Sequence, residues 1–149
     1  MSEWSKDAAL RFASQQQIRQ TQEGKIIRDQ NELALRVAKS WADLCELFVA
    51  RCAEFNAEPG VTGILTCDTK RTQELKITRT DNAGMLRGAF DAKRRSIHFM
   101  GPNIGKEKAE IKIEVIEGSS AMRFVDSLHR ILDPQDIVDI SLTDLLHLN

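Results

Sequence analysis

Residues 26–57, IIRDQNELALRVAKSWADLCELFVARCAEFNA, decide the fold. Their apolar members Leu33, Val37, Trp41, Leu44, Phe48, Cys52 and Phe55 recur every three or four positions, which returns them to one side of a 3.6-residue helix. At about 1.5 Å per residue this stretch makes a rod on the order of 45 Å long, wider than a compact ball of this chain length, so the rest of the chain must pack along it. Glu58-Pro59-Gly60 then stops the helix: proline disfavours a helical residue before it, and glycine permits the reversal.

Beyond that stop the period changes to two. Five short runs, 61–67, 74–80, 85–91, 95–100 and 109–117, are separated by turn-forming residues and joined by connections too short for anything but antiparallel neighbours. Leu75/Ile77, Ile97/Phe99 and Ile111/Ile113/Val115 alternate with Lys76, Thr78, His98, Lys112 and Glu114, giving a sheet with one apolar and one polar face. The amphipathic rod supplies the cover, and the fold class is α+β: a long N-terminal helix on a five-stranded antiparallel meander, with 122–125 as a competing sixth strand.

On the C-terminal side, Met122, Val125, Leu128, Ile131 and Leu132 fit a helical spacing capped by Ser119 or Ser120. Asp133-Pro134-Gln135-Asp136 reads as a helix start, with an acidic cap and proline in the first turn. Ser141-Leu142-Thr143-Asp144 reads as a further start. The expected layout is a single domain over 1–149: a helical arm (1–23), the main helix (24–58), the sheet (61–117) and an acidic helical tail (119–149). Gly24 marks the expected break between arm and main helix.

The arm carries Trp4, Ala8 and Phe12 on one side, with Leu10 read as a further member of that side. It then fades through Gln15-Gln16-Gln17, leaving Ile18 as the last large apolar side chain before Gly24. So polar a segment cannot bury much within its own domain, and Trp4, Phe12 and Ile18 are the expected contacts of a self-associating or partner-binding surface.

The chain is 149 residues, 42% hydrophobic and 29% charged, so a sizeable core needs no disulfide or metal. No apolar run reaches bilayer length, and membrane partners are not expected. The first residues lack a basic start followed by an apolar segment, so no secretory signal and a cytoplasmic location are expected. Net charge is -1 but unevenly placed: residues 61–112 hold 11 Lys+Arg against 6 Asp+Glu, and residues 113–149 hold 2 against 7. Two arrangements follow from this asymmetry. Either the segments neutralise each other, or the middle one offers a basic face to an anionic partner.

That basic set comprises Lys70, Arg71, Lys76, Arg79, Arg87, Lys93, Arg94, Arg95, Lys106, Lys108 and Lys112, with Lys93, Arg94 and Arg95 as the densest candidate for anion contact. Single-strand binding sheets add aromatic platforms to such charges; this chain has no Tyr, and Phe90 and Phe99 fall on the apolar face.

No enzyme chemistry emerges. The loop Gly101-Pro102-Asn103-Ile104-Gly105-Lys106-Glu107 has three residues between its glycines where a phosphate loop needs four, and Glu107 stands where a metal-holding hydroxyl belongs. His98, His129 and His147 are far apart, without metal-ligand spacing. Cys67 with His98 is the one thiol–imidazole pair that the sheet brings within conceivable reach. Cys45, Cys52 and Cys67 read as reduced core thiols, Cys45 and Cys52 being too far apart along one helix to bridge. No catalytic residue, cofactor or metal set follows. The expected function is a non-enzymatic interaction module that self-associates or binds a protein through its N-terminal helix. The alternatives are nucleic-acid contact by the basic segment 70–112 and a small-ligand cup between helix and sheet.

Overall fold

In a computed structural model, which describes residues 3–102, 109–116 and 121–148, the helical spacing becomes one helix, α1 (Glu3–Asn56). The expected break at Gly24 is absent, because one glycine costs only about 1 kcal/mol and is flanked by good helix formers. The chain instead divides into two compact units, Met1–Leu35 and Arg36–Asn149. The first is helical throughout its described residues.

The second unit begins with the stripe that decides the fold. Val37, Trp41, Leu44, Phe48 and Cys52 are all buried. Gly60, at φ 84°, takes the left-handed conformation that turns the chain away after α1. Seven strands follow: β1 (Leu65–Asp68), β2 (Glu74–Arg79), β3 (Met85–Asp91), β4 (Ser96–Met100), β5 (Glu110–Val115), β6 (Met122–Val125) and β7 (Ile131–Leu132). They form one antiparallel meander in sequence order, and helix α2 (Pro134–Leu145) closes the unit.

One face of the sheet is greasy because the register stacks its apolar positions. Ile77 pairs with Leu86, Gly88 with Phe99, Phe90 with Ile97, and Ile113 with Phe124. Leu75, Ile77, Ile97, Phe99, Ile111 and Ile113 are buried there. α1 lies on this face: Trp41 stacks on Phe90 and Phe48 meets Phe99. Gly88 makes the close approach possible, since a Cβ at that position would stand 3.1 Å from Phe99 Cε1 and 3.4 Å from Trp41 Cη2. α2 contributes Ile137, Val138, Leu142 and Leu145 to the core. Its start is the expected one, with Asp133 as N-cap accepting from the Gln135 N–H and Pro134 in the first turn. Arg51 Nε on α1 meets Asp139 Oδ1 on α2 at 2.9 Å.

Two C-terminal readings are decided against a helix start. Of the two alternatives for 119–132, the competing sixth strand at 122–125 is the one formed, as β6, and β7 follows it as a seventh, so the described residues hold no helix there. Phe124 is buried in register with Ile113, and Asp126 folds the next residues into a turn by accepting from the N–H groups of Leu128 and Arg130. Leu128 and Ile131 are exposed, so the apparent helical stripe was never one buried face. Likewise Ser141–Asp144 does not start a new helix; α2 runs through it, and Thr143 Oγ1 donates to the Asp139 carbonyl four residues back. Ser119, Ser120 and the loop 103–108 lie outside the described residues. No helix among the described residues is long and apolar enough to cross a membrane.

Candidate interaction surfaces

The N-terminal unit holds the residues expected to meet a partner. Trp4 is 77% exposed, Phe12 63% and Ile18 59%, and Leu10, Ile26, Ile27 and Leu35 are exposed as well. Among the described residues of 3–35 none is buried. At about 100° per residue, Trp4, Ala8, Phe12, Ile26 and Leu33 share the three- and four-residue spacing that continues as Val37, Trp41 and Leu44. Ile18 falls on the flank of this stripe. Leu10 falls about 200° from Ala8, on the other side, so it does not belong with Trp4 and Phe12. Arg11 and Asp7 form an exposed one-turn ion pair at 3.2 Å.

The polar face of the sheet carries the charges. The register puts Lys76, Arg87, His98 and Lys112 on this face, as their alternation implies. Glu74, Glu110 and Glu114 are interleaved with them. Arg87 Nε meets Glu74 Oε1 at 2.7 Å, and Arg123 meets Glu114 at 3.4 Å, so part of the positive charge is neutralised locally. A shallow cleft of about 360 Å³ opens between Lys70, Arg71, Lys76, Arg87 and the acids Asp68 and Glu74. Arg79 does not join the basic face. It pairs with Leu65 on the apolar side, where its guanidinium holds both oxygens of Asp81 at 2.7 and 2.9 Å and donates to the Leu145 carbonyl at the end of α2. Lys93, Arg94 and Arg95 are exposed together in the β3–β4 turn, which Asp91 Oδ1 organises by accepting from the Lys93 and Arg94 N–H groups. Lys106 and Lys108 lie outside the described residues.

The thiol–imidazole pair is ruled out by register. Cys67 pairs with Ile77 on the apolar face at one edge of the sheet, whereas His98 stands on the polar face of β4. What the sequence spacing missed is that Cys67 belongs to the seam between β1 and the cysteine-bearing end of α1 instead. Asn56 Nδ2 donates to the Leu65 carbonyl at 2.7 Å, and Leu65 N–H donates to Asn56 Oδ1 at 3.0 Å, clamping the end of α1 to the start of β1. One helical turn back stands Cys52, and two strand residues on stands Cys67, steps of about 6 Å along each element. The neighbouring Cys52 thiol holds the Cys67 thiol below its ordinary value, against the opposing effects of burial and of Asp68. Cys67 in turn raises Cys52, as does burial. Burial, with the Cys67 charge, pushes Cys45 up to about 12. Further along the same seam the Trp41 Nε1–H donates to the Thr72 carbonyl at 2.8 Å.

Among the described residues no three metal-ligating side chains are gathered. The space between α1 and the sheet is filled by Trp41, Phe48, Phe90 and Phe99. Compared with known proteins, the chain matches no family model, no curated protein and no solved structure.

Proposed function

We propose that this chain is a non-enzymatic assembly module that self-associates through the helix formed by residues 3–35. The observation that carries this is that no described residue of that unit is buried and that Trp4, Phe12, Ile18 and Ile26 are exposed. A helix gains most of its stability from packing an apolar side, and exposed aromatic and aliphatic residues at helical spacing mark a surface that packs on another molecule. A second copy offers the same spacing and thus a self-complementary stripe of Trp4, Ala8, Phe12, Ile26 and Leu33.

Light scattering coupled to size exclusion tests it. The full chain is expected to run as an oligomer, and a chain lacking residues 1–22 as a smaller species that keeps its sheet signal. A strict monomer whose stability is unchanged by the deletion overturns the proposal. Capture of a different protein by the helix, with no self-association, would move the function to a heteromeric partner.

A second reading rests on the exposed cluster Lys93-Arg94-Arg95. Contact with nucleic acid there would be electrostatic, falling steeply with salt and weakened by charge reversal at these three residues. Titration of single- and double-stranded oligonucleotides at two salt concentrations decides it, and no binding at low salt ends it.

A further inference from the structure

The seam between α1 and β1 gathers cysteines from two elements that are far apart in sequence. The reciprocal Asn56–Leu65 bonds set the register of helix against strand, and one step along each element from that clamp stand Cys52, one helical turn back, and Cys67, two strand residues on. Cys52 is buried, Cys67 is half-buried on the edge strand, and all three cysteines are free thiols. We propose that Cys52 and Cys67 form a peroxide-sensitive pair that closes to a disulfide and so ties α1 covalently to β1.

The two partners are differentiated for this chemistry. The reacting species is a thiolate, and the neighbouring Cys52 thiol favours the thiolate at Cys67, which stands on the more accessible edge strand. The raised Cys45 thiol stays protonated and is held out of the first step. The Cys67 thiolate attacks one oxygen of hydrogen peroxide; an S–O bond forms, the O–O bond breaks, and the departing hydroxide takes up a proton as water. The Cys52 sulfur, giving up its proton, then attacks the sulfenic sulfur of Cys67. The S–S bond forms as the S–O bond breaks, and the second oxygen leaves as water. Two thiols thus lose two electrons and two protons, and one peroxide becomes two waters.

The test is stoichiometric hydrogen peroxide on the folded full chain, read by intact mass and by peptide mapping under non-reducing conditions. The expected result is a loss of about two mass units, a single cross-linked peptide pair holding Cys52 and Cys67, and reversal by a small thiol. Closure of this pair should be at least about tenfold faster in the folded chain than in denaturant, where no clamp holds the sulfurs together. Cys67→Ser abolishes the product. Cys52→Ala, which replaces the buried thiol with a small apolar group, leaves Cys67 as a sulfenic acid trapped by a cyclic 1,3-dione. A disulfide that contains Cys45, disulfides formed only between copies, or three free thiols after treatment overturns the proposal.

Discussion

The indole of Trp41 lies nearly parallel to the ring of Phe90, with 14° between their planes and 5.7 Å between their centroids. Its Nε1–H donates to the Thr72 carbonyl, in the connection between β1 and β2, at 2.8 Å. The largest side chain of the stripe therefore contributes apolar area, ring stacking and a satisfied polar atom at one point. Trp41→Ala is expected to cost about 3–5 kcal/mol in denaturant unfolding. Trp41→Phe should cost less, because it keeps most of the contact but leaves the Thr72 carbonyl without its donor. Equal losses from both would show that the packing contact is unimportant.

Gly88 is the counterpart of that indole on the sheet. A methyl group there meets Phe99 Cε1 at 3.1 Å, closer than an unstrained contact allows. Gly88→Ala should destabilise by about 1–3 kcal/mol, and combining it with Phe99→Leu should cost less than the sum of the single changes. Additive losses in the double variant would place the strain elsewhere.

Asn56 makes both of its bonds to the backbone of Leu65. Asn56→Ala leaves a part-buried donor and acceptor without partners, an expected loss of about 1–3 kcal/mol. Asn56→Asp should be no better, since a carboxylate has no hydrogen to give the Leu65 carbonyl. Thermal melts of the two variants beside the parent settle it. Restoration of stability by aspartate would mean that only the Leu65 N–H matters.

Asp126 gives the chain a pH dependence of known sign. Burial pushes its carboxyl up, but the Arg130 N–H, the Arg130 guanidinium at 2.7 Å and the Leu128 N–H outweigh burial and hold it below its ordinary value. A carboxyl depressed in the folded state stabilises above its unfolded value, about 3.9, and the stabilisation is lost as pH falls through the folded value. Asp126→Asn should be less stable than the parent at pH 7, with the difference shrinking below about pH 4. A difference that stays constant down to pH 2 would exclude this linkage.

For the proposed assembly, Trp4→Ala with Phe12→Ala should weaken self-association by at least about tenfold, the scale of an aromatic interface anchor. Both side chains are exposed, so the isolated subunit should lose no more than about 0.5 kcal/mol of stability. Light scattering over a dilution series, paired with denaturant unfolding, separates the two effects. A change in subunit stability with no change in mass would show that these residues pack within the chain.

Most of the architecture was open to a reader of the residues alone, because burial repeats with the period of the backbone. Val37, Trp41, Leu44, Phe48 and Cys52 recur on one side of a helix, and Leu75/Ile77 and Ile111/Ile113 on one face of strands, before any partner is specified. The Asp133–Pro134 start of α2 is equally local, a cap and a fixed φ. Residues 121–132 were not decided locally. Their short apolar run suits either period, and only the free edge of β5, which offers Ile113 a partner in Phe124, makes it a strand. Arg79, three residues from Lys76 on the same strand, is sent to the opposite face by alternation alone. The thiols were not legible in this way: spacing along the chain separates Cys52 from Cys67, and only the Asn56–Leu65 clamp of helix end to strand sets both one step from a shared point, because docking one element on another is a relation that no single segment contains.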